Sequence, residues 1–379
     1  MHPIYWLKPA SGHPEPPEHW TYSSLRLWRM CPKRWWLERC TYPNTEGGFY
    51  PNPQNAGALE GQLIHKVVEE WGKALRMGND TIPMRTRFKV ALRELYSRLK
   101  DNPRVDAARV IASVSLDTCV AKAFEFTRDL EPQAPRSQVN QSSIGDGTQS
   151  IPSGVEEFWV TVDDPPIKGQ LDRVRNGVVT DYKTGAPDTG HKDQLLFYAL
   201  LWWLKYGELP VRLELCYPGS IVDVPIPGAD DLSKSVEDLQ SELVDARNAI
   251  ERGSATSFPS ADTCRYCSVR QLCDDYWHSP ATVELRLAVA DKVSEKPTGV
   301  RFGDVQLAQF STERRSDGAI IGEAMAVEIG SVRVEIGGHY CPSAAEPVSM
   351  VRMLGAKLIE NRGEYSVTTA AGTEVFWVG

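Results

Sequence analysis

The sequence predicts an α/β protein in which helices flank a central mixed sheet and a small β-rich domain follows at the C-terminal end. Strand-like runs rich in β-branched residues fall between residues 156 and 226, beside strongly apolar helical segments. Residues 300–379 instead alternate polar and apolar residues, which is typical of strands. A chain of 379 residues has the length of two domains, or of one large domain with an appendage.

Composition indicates a globular protein with a large core and restricts its partners. Hydrophobic residues make up 41% of the chain and charged residues 24%. The longest apolar run, residues 195–204, is too short to span a membrane, and the N-terminus lacks a signal-peptide pattern, so we expect a cytoplasmic protein with no membrane contact. The net charge of -8 argues against non-specific coating of nucleic acid but allows a local basic groove.

The first predicted helix combines basic and aromatic residues after an irregular lead-in over residues 1–20. It begins near Thr21, with a serine as its expected N-cap. Tryptophans interleaved with cations suit either a nucleic-acid backbone with bases stacked nearby, or an amphipathic helix that buries its tryptophans. The cations that would contact DNA are Arg26, Arg29, Lys33 and Arg34.

A second helix is predicted over roughly residues 56–75, where apolar residues recur at helical spacing. His65 and Glu69 share one flank of its apolar arc, which places His65 at the edge of the core. A histidine in that position is usually structural, so a ligand role requires independent support. Further helices are predicted over residues 84–130. Residues 131–154, rich in Pro, Ser, Gln and Gly, predict a flexible excursion.

The chemistry-bearing residues concentrate in a hairpin of two strands, residues 167–175 and 178–183, joined by an Asn-Gly turn. The second strand ends with Asp181 and Lys183, which are two residues apart and therefore point the same way. The first strand contributes Asp172. Two carboxylates and a lysine are thus expected to converge at one end of a small sheet.

Such a cluster favours a divalent cation. Neighbouring carboxylates repel and raise each other's pKa, whereas a bound Mg2+ or Mn2+ would let both ionise, polarise a phosphoryl oxygen and activate a water. Lys183 could then orient that water or help to deprotonate it. The alternative is a surface hairpin with an ion pair between Asp181 and Lys183.

The segments after the hairpin complete the predicted core. An apolar helix follows Pro187 and carries Gln194 and Tyr198 at i and i+4, so both side chains project from one face. Strands over residues 211–218 and 220–226 come next, followed by a helix at 232 to 252.

Three cysteines form a C-x2-C-x5-C cluster at Cys264, Cys267 and Cys273. In a cytoplasmic chain they are expected to hold a metal rather than form disulfides, and free thiols are the alternative. The cluster is one thiolate short of the usual four ligands. Cys31 is the expected fourth ligand and Cys40 is its rival. A fourth ligand so distant in sequence would act as a clasp between the two ends of the domain.

The last part of the chain is predicted to be a separate β-rich domain over residues 300–379, after a linker over residues 279–299. One helix-like piece is expected near residues 349–359. This domain carries no catalytic constellation, and it could bind a partner, bind DNA or cap the preceding domain.

Together these motifs resemble the RecB-like branch of the PD-(D/E)XK nuclease superfamily, and within it the iron-sulfur members typified by AddB-type nuclease domains and the CRISPR adaptation nuclease. The resemblance covers residues 21 to about 278. Any one motif is weakly specific, but all of them in this order are specific. The matching elements are Cys31-Pro32, GxxxH at Gly61 to His65, GxxDR at Gly169 to Arg173, DYKTG at Asp181 to Gly185, QxxxY at Gln194 and Tyr198, and the three late cysteines.

The resemblance implies a restriction-endonuclease-like core and a role for each matching residue. His65, Asp172 and Asp181 would bind the catalytic metal, and Lys183 would position the attacking water. The Tyr182 backbone carbonyl would be a further metal ligand, and Glu69 would support the metal ligands from behind. Gln194 and Tyr198 would steady the lysine and the phosphate, and Arg173 would contact DNA. The ligands of a [4Fe-4S] cluster, with zinc as the alternative, would be Cys31, Cys264, Cys267 and Cys273.

The implied function is an Mg2+- or Mn2+-dependent deoxyribonuclease, an exonuclease on DNA ends or single strands rather than a sequence-specific cutter, in repair, recombination, mobile-element or defence processes. The chain has no GxxxxGK[ST] phosphate loop, so any unwinding would come from a helicase or another protein partner. The alternative, from a different class, is a catalytically silent module that binds DNA ends or a partner in a multi-subunit assembly. Every catalytic position is filled, which favours the enzyme.

Overall fold

The structure, a computed structural model, describes residues 5–7, 12–42, 50–77, 82–127, 155–287, 300–341 and 349–378. Within these ranges, a five-stranded mixed sheet flanked by helices precedes a seven-stranded sheet at the C-terminal end. The predicted α/β class with a β-rich C-terminal part is confirmed. The flexible excursion predicted over residues 131–154 lies outside the described residues.

The helices and strands are numbered in chain order. The helices are α1 Tyr22–Met30, α2 Pro32–Arg39, α3 Ala56–Arg76, α4 Met84–Leu99, α5 Ala107–Ala112, α6 Leu116–Thr127, α7 Thr189–Tyr206, α8 Ala229–Glu251, α9 Ala261–Arg265, α10 Asp274–His278 and α11 Val283–Leu287. The strands are β1 Tyr5–Leu7, β2 Val155–Val162, β3 Ile167–Arg175, β4 Val178–Tyr182, β5 Arg212–Tyr217, β6 Ser220–Val224, β7 Val300–Arg314, β8 Ile320–Ala326, β9 Gly330–Ile336, β10 Met350–Asn361, β11 Glu364–Thr368 and β12 Glu374–Val378.

The first sheet has the order β2-β3-β4-β5-β6, in which β4 and β5 are parallel and the other pairs are antiparallel. The β3–β4 hairpin turns at Asn176 and Gly177, whose φ angles are 51° and 77°. Two consecutive positive φ angles are what a type I′ turn requires, and the Asn-Gly pair tolerates them. Helix α7 packs against one part of this sheet, while the α3, α4 and α6 bundle packs around Tyr182.

The basic N-terminal segment forms two helices, because Pro32 cannot continue α1 and instead begins α2. Thr21, rather than a serine, caps α1 by accepting a hydrogen bond from the Ser24 amide. Trp28 and Trp35 are buried and pack edge to face. The tryptophans of this segment therefore belong to the core and are not available to stack on bases.

The C-terminal sheet closes into a barrel. Its strands pair in the order β7-β8-β9-β11-β10, and β10 returns to pair with β7. β9 and β11 are parallel and their neighbours are antiparallel. This is the Greek-key order of an OB-fold barrel. β12 pairs with β10, and β1 pairs with β12, so part of the expected irregular lead-in is a strand of this sheet.

The helix-like piece predicted near residues 349–359 is wrong, because this stretch is the strand β10. The spacing of Val351, Leu354 and Leu358 fits a helix. The strand pairs with β7, β11 and β12, and its side chains from Val351 to Leu354 are all buried. Consecutive buried side chains are typical of a strand covered on both faces, and tertiary pairing overrides helix propensity there.

The barrel is anchored to the cysteine-bearing segment by buried polar contacts. Asp304 on β7 is 1% exposed and accepts hydrogen bonds from Arg270 at 2.7 Å, from Tyr276 at 2.8 Å and from the Gly355 amide at 2.9 Å. A buried carboxylate is tolerated because its oxygens are paired in this way. Residues 283–287 form α11 with a buried Arg286, so the linker predicted over 279–299 is packed structure in its first part. Residues 288–299 lie outside the described residues.

None of the helices in the described ranges is both long enough and apolar enough to cross a membrane.

Candidate active site

The candidate site lies where β3 and β4 separate. Their pairing extends from the Val178 end of β4 only as far as the pair of Arg173 and Thr180. Beyond it, the Tyr182 amide donates a hydrogen bond of 2.8 Å to Asp172 Oδ2, so a side chain replaces the backbone partner. β4 continues beside β5 up to Tyr182. The gap between β3 and β4 thus holds carboxylates at the end of a rigid sheet.

Asp172 and Asp181 are two carboxylates in one buried place. Burial raises the pKa of the Asp172 carboxyl above its ordinary value. Burial and the Asp172 charge raise the pKa of Asp181, which is 1% exposed. Both shifts have the sign expected for two acids that are removed from water and placed side by side. The charge of Lys183 lowers both pKa values in part, and a bound divalent cation would lower them further.

Lys183 connects the acids to α7. Its Nζ lies 2.7 Å from Asp181 Oδ2 and donates a hydrogen bond of 2.8 Å to Gln194 Oε1. Gln194 Nε2 in turn donates to the Tyr198 hydroxyl at 2.7 Å. The spacing of Gln194 and Tyr198 at i and i+4 makes this chain possible, because both project from the same helix face. Lys183 is thereby held at the open end of β4.

His65 reaches the same place from α3. Its Nδ1 lies 3.6 Å from Asp172 Oδ2, and its ring hydrogen-bonds to the backbone of Tyr182. Burial lowers the pKa of His65, which keeps the imidazole neutral and able to donate a lone pair. Glu69, one turn later, is paired with Lys73 and not with these groups.

The donor set fits a hard divalent cation. Two carboxylates, an imidazole nitrogen and the Tyr182 backbone lie together, and oxygen donors of this kind suit Mg2+ and Mn2+. Asp181 Oδ2 is buried and, although it is ion-paired with Lys183, it accepts no hydrogen bond of good geometry. Within the described residues, no three His, Cys, Asp or Glu side chains are already arranged as the ligands of one metal ion. A cation would have to draw these groups closer.

Two glycines permit the close packing of these elements. A Cβ on Gly61 would lie 3.0 Å from Thr184 Oγ1, so α3 passes close to the loop after β4. A Cβ on Gly169 would lie 2.7 Å from Leu201 Cδ1 and 2.9 Å from Tyr198 Cε1. The glycine of the GxxDR strand is therefore required for α7 to bring Tyr198 against β3.

We expect Gly169→Ala to destabilise the protein by about 1–3 kcal/mol, because the added methyl group has to displace Leu201 and Tyr198. Gly185→Ala is the matched control, since a Cβ there would meet no atom within 4 Å. Thermal unfolding of the two metal-free variants beside wild type measures the difference. Equal unfolding temperatures for both variants would contradict the packing described here.

Four cysteines from two distant parts of the chain line one pocket. Cys31, at the junction of α1 and α2, faces Cys264, Cys267 and Cys273 across it. Cys40 is fully buried in the neighbouring core and is not among the residues that line this pocket. The structure thus brings together the four thiols that the sequence analysis groups, and it separates the rival cysteine from them.

The surroundings of these thiols suit metal ligation. Burial raises the pKa of Cys264, that of Cys267 to about 12 and that of Cys273 to about 11. Thiols release their protons when they bind a metal, so metal binding at this site would strengthen as pH rises. Arg34 and Arg270 also line the pocket, where Arg34 is paired with Glu38 and Arg270 with Asp304.

The cations expected to contact DNA have different positions. Arg26 and Arg34 line a groove beside Gln194 and Tyr198. Arg29 is bound through its guanidinium to Glu242 on α8, 213 positions away in the sequence. The other two are also outside the groove lining: Arg173 lies 3.5 Å from the Tyr182 hydroxyl, and the Lys33 amide bonds to Thr256.

One groove residue was not singled out from the sequence. Trp159 on β2 is 53% exposed and lines the groove with Arg26 and Arg34. A tryptophan between Phe158 and Val160 in an alternating strand points away from them, which is the signal that could have identified it.

Comparison with known proteins gives one family match. A model of the PD-(D/E)XK nuclease superfamily matches residues 19–274, which is more than half of the 379 residues. The matched range contains the carboxylate pair, the helix of Gln194 and Tyr198, and the four clustered cysteines. No curated protein matches the chain.

Solved structures show weaker likenesses. A candidate exonuclease from Eubacterium rectale has a TM-score of 0.35 at 13% identity over 73% of this chain and 91% of its own. The tetrameric p202 HIN2 structure scores 0.18 at 14% identity over 21% of this chain, and the Ifi202 HINa domain bound to double-stranded DNA scores 0.18 at 10% identity over 26%. The chain spans only 43% and 50% of those two structures. These TM-scores are too low to transfer a fold or a function.

Proposed function

Because the chain belongs to the PD-(D/E)XK nuclease superfamily, we propose that it is a divalent-metal-dependent deoxyribonuclease that acts on DNA ends or single strands. The observation that supports this most strongly is the convergence of His65, Asp172, Asp181 and Lys183 at the open end of β4. The first three supply a neutral imidazole and two acids, and the fourth supplies an amine beside them. Phosphodiester hydrolysis requires charge neutralisation and a positioned water more than it requires a covalent intermediate.

In this proposal each residue has a separate task. Asp172, Asp181, His65 and the Tyr182 carbonyl would hold Mg2+ or Mn2+, which would supply charge neutralisation at the phosphoryl group and a water of lowered pKa. Lys183 hydrogen-bonds the attacking water and orients it. Gln194 and Tyr198 keep the ammonium group in place through the chain Lys183 Nζ to Gln194 Oε1 and Gln194 Nε2 to Tyr198 OH.

We further propose that Cys31, Cys264, Cys267 and Cys273 hold a [4Fe-4S] cluster, with zinc as the alternative metal. The pocket that they line supports this assignment. The role of the cluster would be structural, because it would join the α1–α2 junction to the segment that precedes α10. That junction also carries Arg34, which lines both this pocket and the groove beside Gln194.

The domain division is part of the proposal. The nuclease domain would comprise residues 21–278, and the barrel would be a support for it over residues 300–379. The buried contacts of Asp304 and Arg352 with the segment after Cys267 favour a barrel that stabilises the cysteine site. No phosphate loop is present in the sequence, so unwinding of a duplex would require a helicase partner.

We expect Mn2+ to raise the unfolding temperature by more near pH 8 than near pH 5.5. The pKa values of Asp172 and Asp181 are raised above the ordinary 3.8, so protons compete with the metal well above pH 4. The metal-free folded state binds these protons more tightly than the unfolded chain, so their stabilising contribution is lost as pH rises through the raised values. A bound cation takes the place of these protons on Asp172 and Asp181, so its stabilising effect is largest where the protons are absent. Calorimetry with and without Mn2+ at both pH values tests this, and an equal shift at both would contradict it.

The function itself is tested with linear single-stranded and double-stranded DNA carrying a label at one end, incubated with Mn2+. Progressive loss of the label supports an exonuclease and reveals its polarity and preferred strand. A closed circular substrate that stays intact supports the requirement for an end. Absence of cleavage on every substrate, in protein that keeps its cluster, would overturn the nuclease proposal and favour a silent DNA-end or partner-binding module.

A further inference from the structure

The groove beside the proposed active site has a volume of about 470 Å3 and a charge unlike that of this acidic protein as a whole. Arg26 and Arg34 line it, with Arg34 in an ion pair with Glu38, and none of the described residues that line it is a carboxylate. Gln194 and Tyr198 lie along it as well, and Gln194 accepts the hydrogen bond from Lys183. The groove therefore lies one hydrogen-bond partner away from the amine proposed to orient water, and the cation Arg26 in it favours a phosphate backbone.

Trp159 is exposed in this groove. It lies on β2, the edge strand of the first sheet, where it pairs with Gln170. Every other tryptophan whose burial the structure describes is buried or half-buried. A single exposed apolar side chain needs no special explanation. An indole within a cationic groove beside a candidate catalytic site does, because a large planar ring there offers a flat surface to a ligand.

One cation lies near this ring and another lines the same groove. Lys168 Nζ is 6.0 Å from the centroid of the Trp159 ring, at the limit of a cation–π contact. Arg26 is exposed and makes no ion pair with any carboxylate of the described residues, in contrast to Arg29, which Glu242 binds. Cations beside an exposed aromatic ring are how proteins hold single-stranded nucleic acid, with the charges on the backbone and the ring on a base.

We propose that Trp159 stacks on an unpaired base of single-stranded DNA, while Lys168 and Arg26 contact its phosphates, so that the groove leads a single strand to the carboxylates. This inference rests on the proposed nuclease function and specifies its substrate. A duplex would not make this contact, because its bases are already stacked on one another and present no open face to the indole.

The test is binding of a fluorescent thymidine oligonucleotide to the full chain without divalent metal, so that cleavage does not interfere. We expect Trp159→Ala to weaken this binding roughly 5- to 150-fold, since stacking of one base on an aromatic ring contributes about 1–3 kcal/mol. Binding of a blunt duplex of the same length should change little. Trp159→Tyr should retain most of the affinity. Tyr96→Ala, which removes an exposed aromatic ring on α4 outside the groove, is the control and should bind normally.

A second probe separates stacking from general binding. An oligonucleotide with abasic sites should bind wild type and Trp159→Ala equally weakly, because neither complex can stack. Equal losses of single-strand and duplex binding in Trp159→Ala, or no loss of either, would overturn the inference. If wild type degrades DNA while Trp159→Ala binds single strands normally, only the stacking role is wrong. If Trp159 is needed for single-strand binding but wild type never cleaves, the stacking role holds and the nuclease proposal fails.

Discussion

Replacing Lys183 with alanine is expected to lower Mn2+-dependent cleavage roughly 10²- to 10⁴-fold while the fold is retained. Its amine lies 2.7 Å from Asp181 and is held by Gln194, so its removal takes away the positioned donor that the proposal assigns to the water. Initial rates on labelled single-stranded DNA measure the loss. Lys234→Ala, an exposed lysine on α8, is the matched control and should cleave at the wild-type rate.

Asp172→Ala should abolish cleavage for a different reason, and metal binding separates the two variants. Asp172 is a proposed ligand, so this variant should also lose the stabilisation by Mn2+. Lys183 is not a ligand, so Lys183→Ala should keep it. Full activity in either variant would show that the assigned site is wrong. Loss of Mn2+ stabilisation in Lys183→Ala would show that the lysine acts on metal binding instead.

Cys31→Ser is expected to remove the bound metal and to lower the unfolding temperature by roughly 10–20 °C. The proposed clasp closes a stretch of about 230 residues between Cys31 and Cys264. Treated as a cross-link, such a closure contributes about 5 kcal/mol by restricting the unfolded chain, and each kcal/mol shifts the unfolding temperature of a domain of this size by about 2–4 °C. Loss of the bonds to the metal adds to this effect.

The control for this prediction is Cys40→Ser, read out by metal content and not by stability, because Cys40 is itself fully buried. It should keep the metal that Cys31→Ser loses. Anaerobically purified wild type should be brown and contain iron and sulfide. A colourless protein that contains zinc would contradict the iron-sulfur assignment and leave the clasp in place. Metal-free wild-type protein that unfolds at the same temperature as loaded protein would contradict the clasp.

Local sequence signals were sufficient for several features. The Asn176-Gly177 turn followed from backbone sterics alone, because few residue pairs accept two positive φ angles. Helix α3 was expected over residues 56–75 and spans 56–76, since its apolar residues repeat at helical spacing over several turns. The spacing of Asp181 and Lys183 on one strand, and of Gln194 and Tyr198 on one helix, placed each pair on a common side.

Other features depend on contacts between residues far apart in the chain, and local patterns could not predict them. The β10 strand resembles a helix in sequence and is a strand because three other strands pair with it. The basic segment allowed either base stacking or burial of its tryptophans, and Trp28 and Trp35 pack into the core. Among the tryptophans whose burial is described, the exposed one is Trp159, on another element. Arg29 forms an ion pair with Glu242, a partner that no local sequence pattern identifies.

By itself, the sequence determined the α/β class, the order of the motifs and the residue types that converge on a metal-binding and hydrolytic chemistry, because these follow from backbone geometry and short-range periodicity. The sequence favoured Cys31 over Cys40 as the partner of the late cysteines, and the tertiary structure places Cys31 in their pocket. The tertiary structure alone decided that the last strands form a closed barrel, which Asp304 joins to the segment of the late cysteines. It also decided that an exposed ring lies in the groove beside Gln194. These outcomes depend on packing between distant segments. Such packing leaves little apolar surface exposed and few charges buried without a partner, and it does so over the whole chain at once.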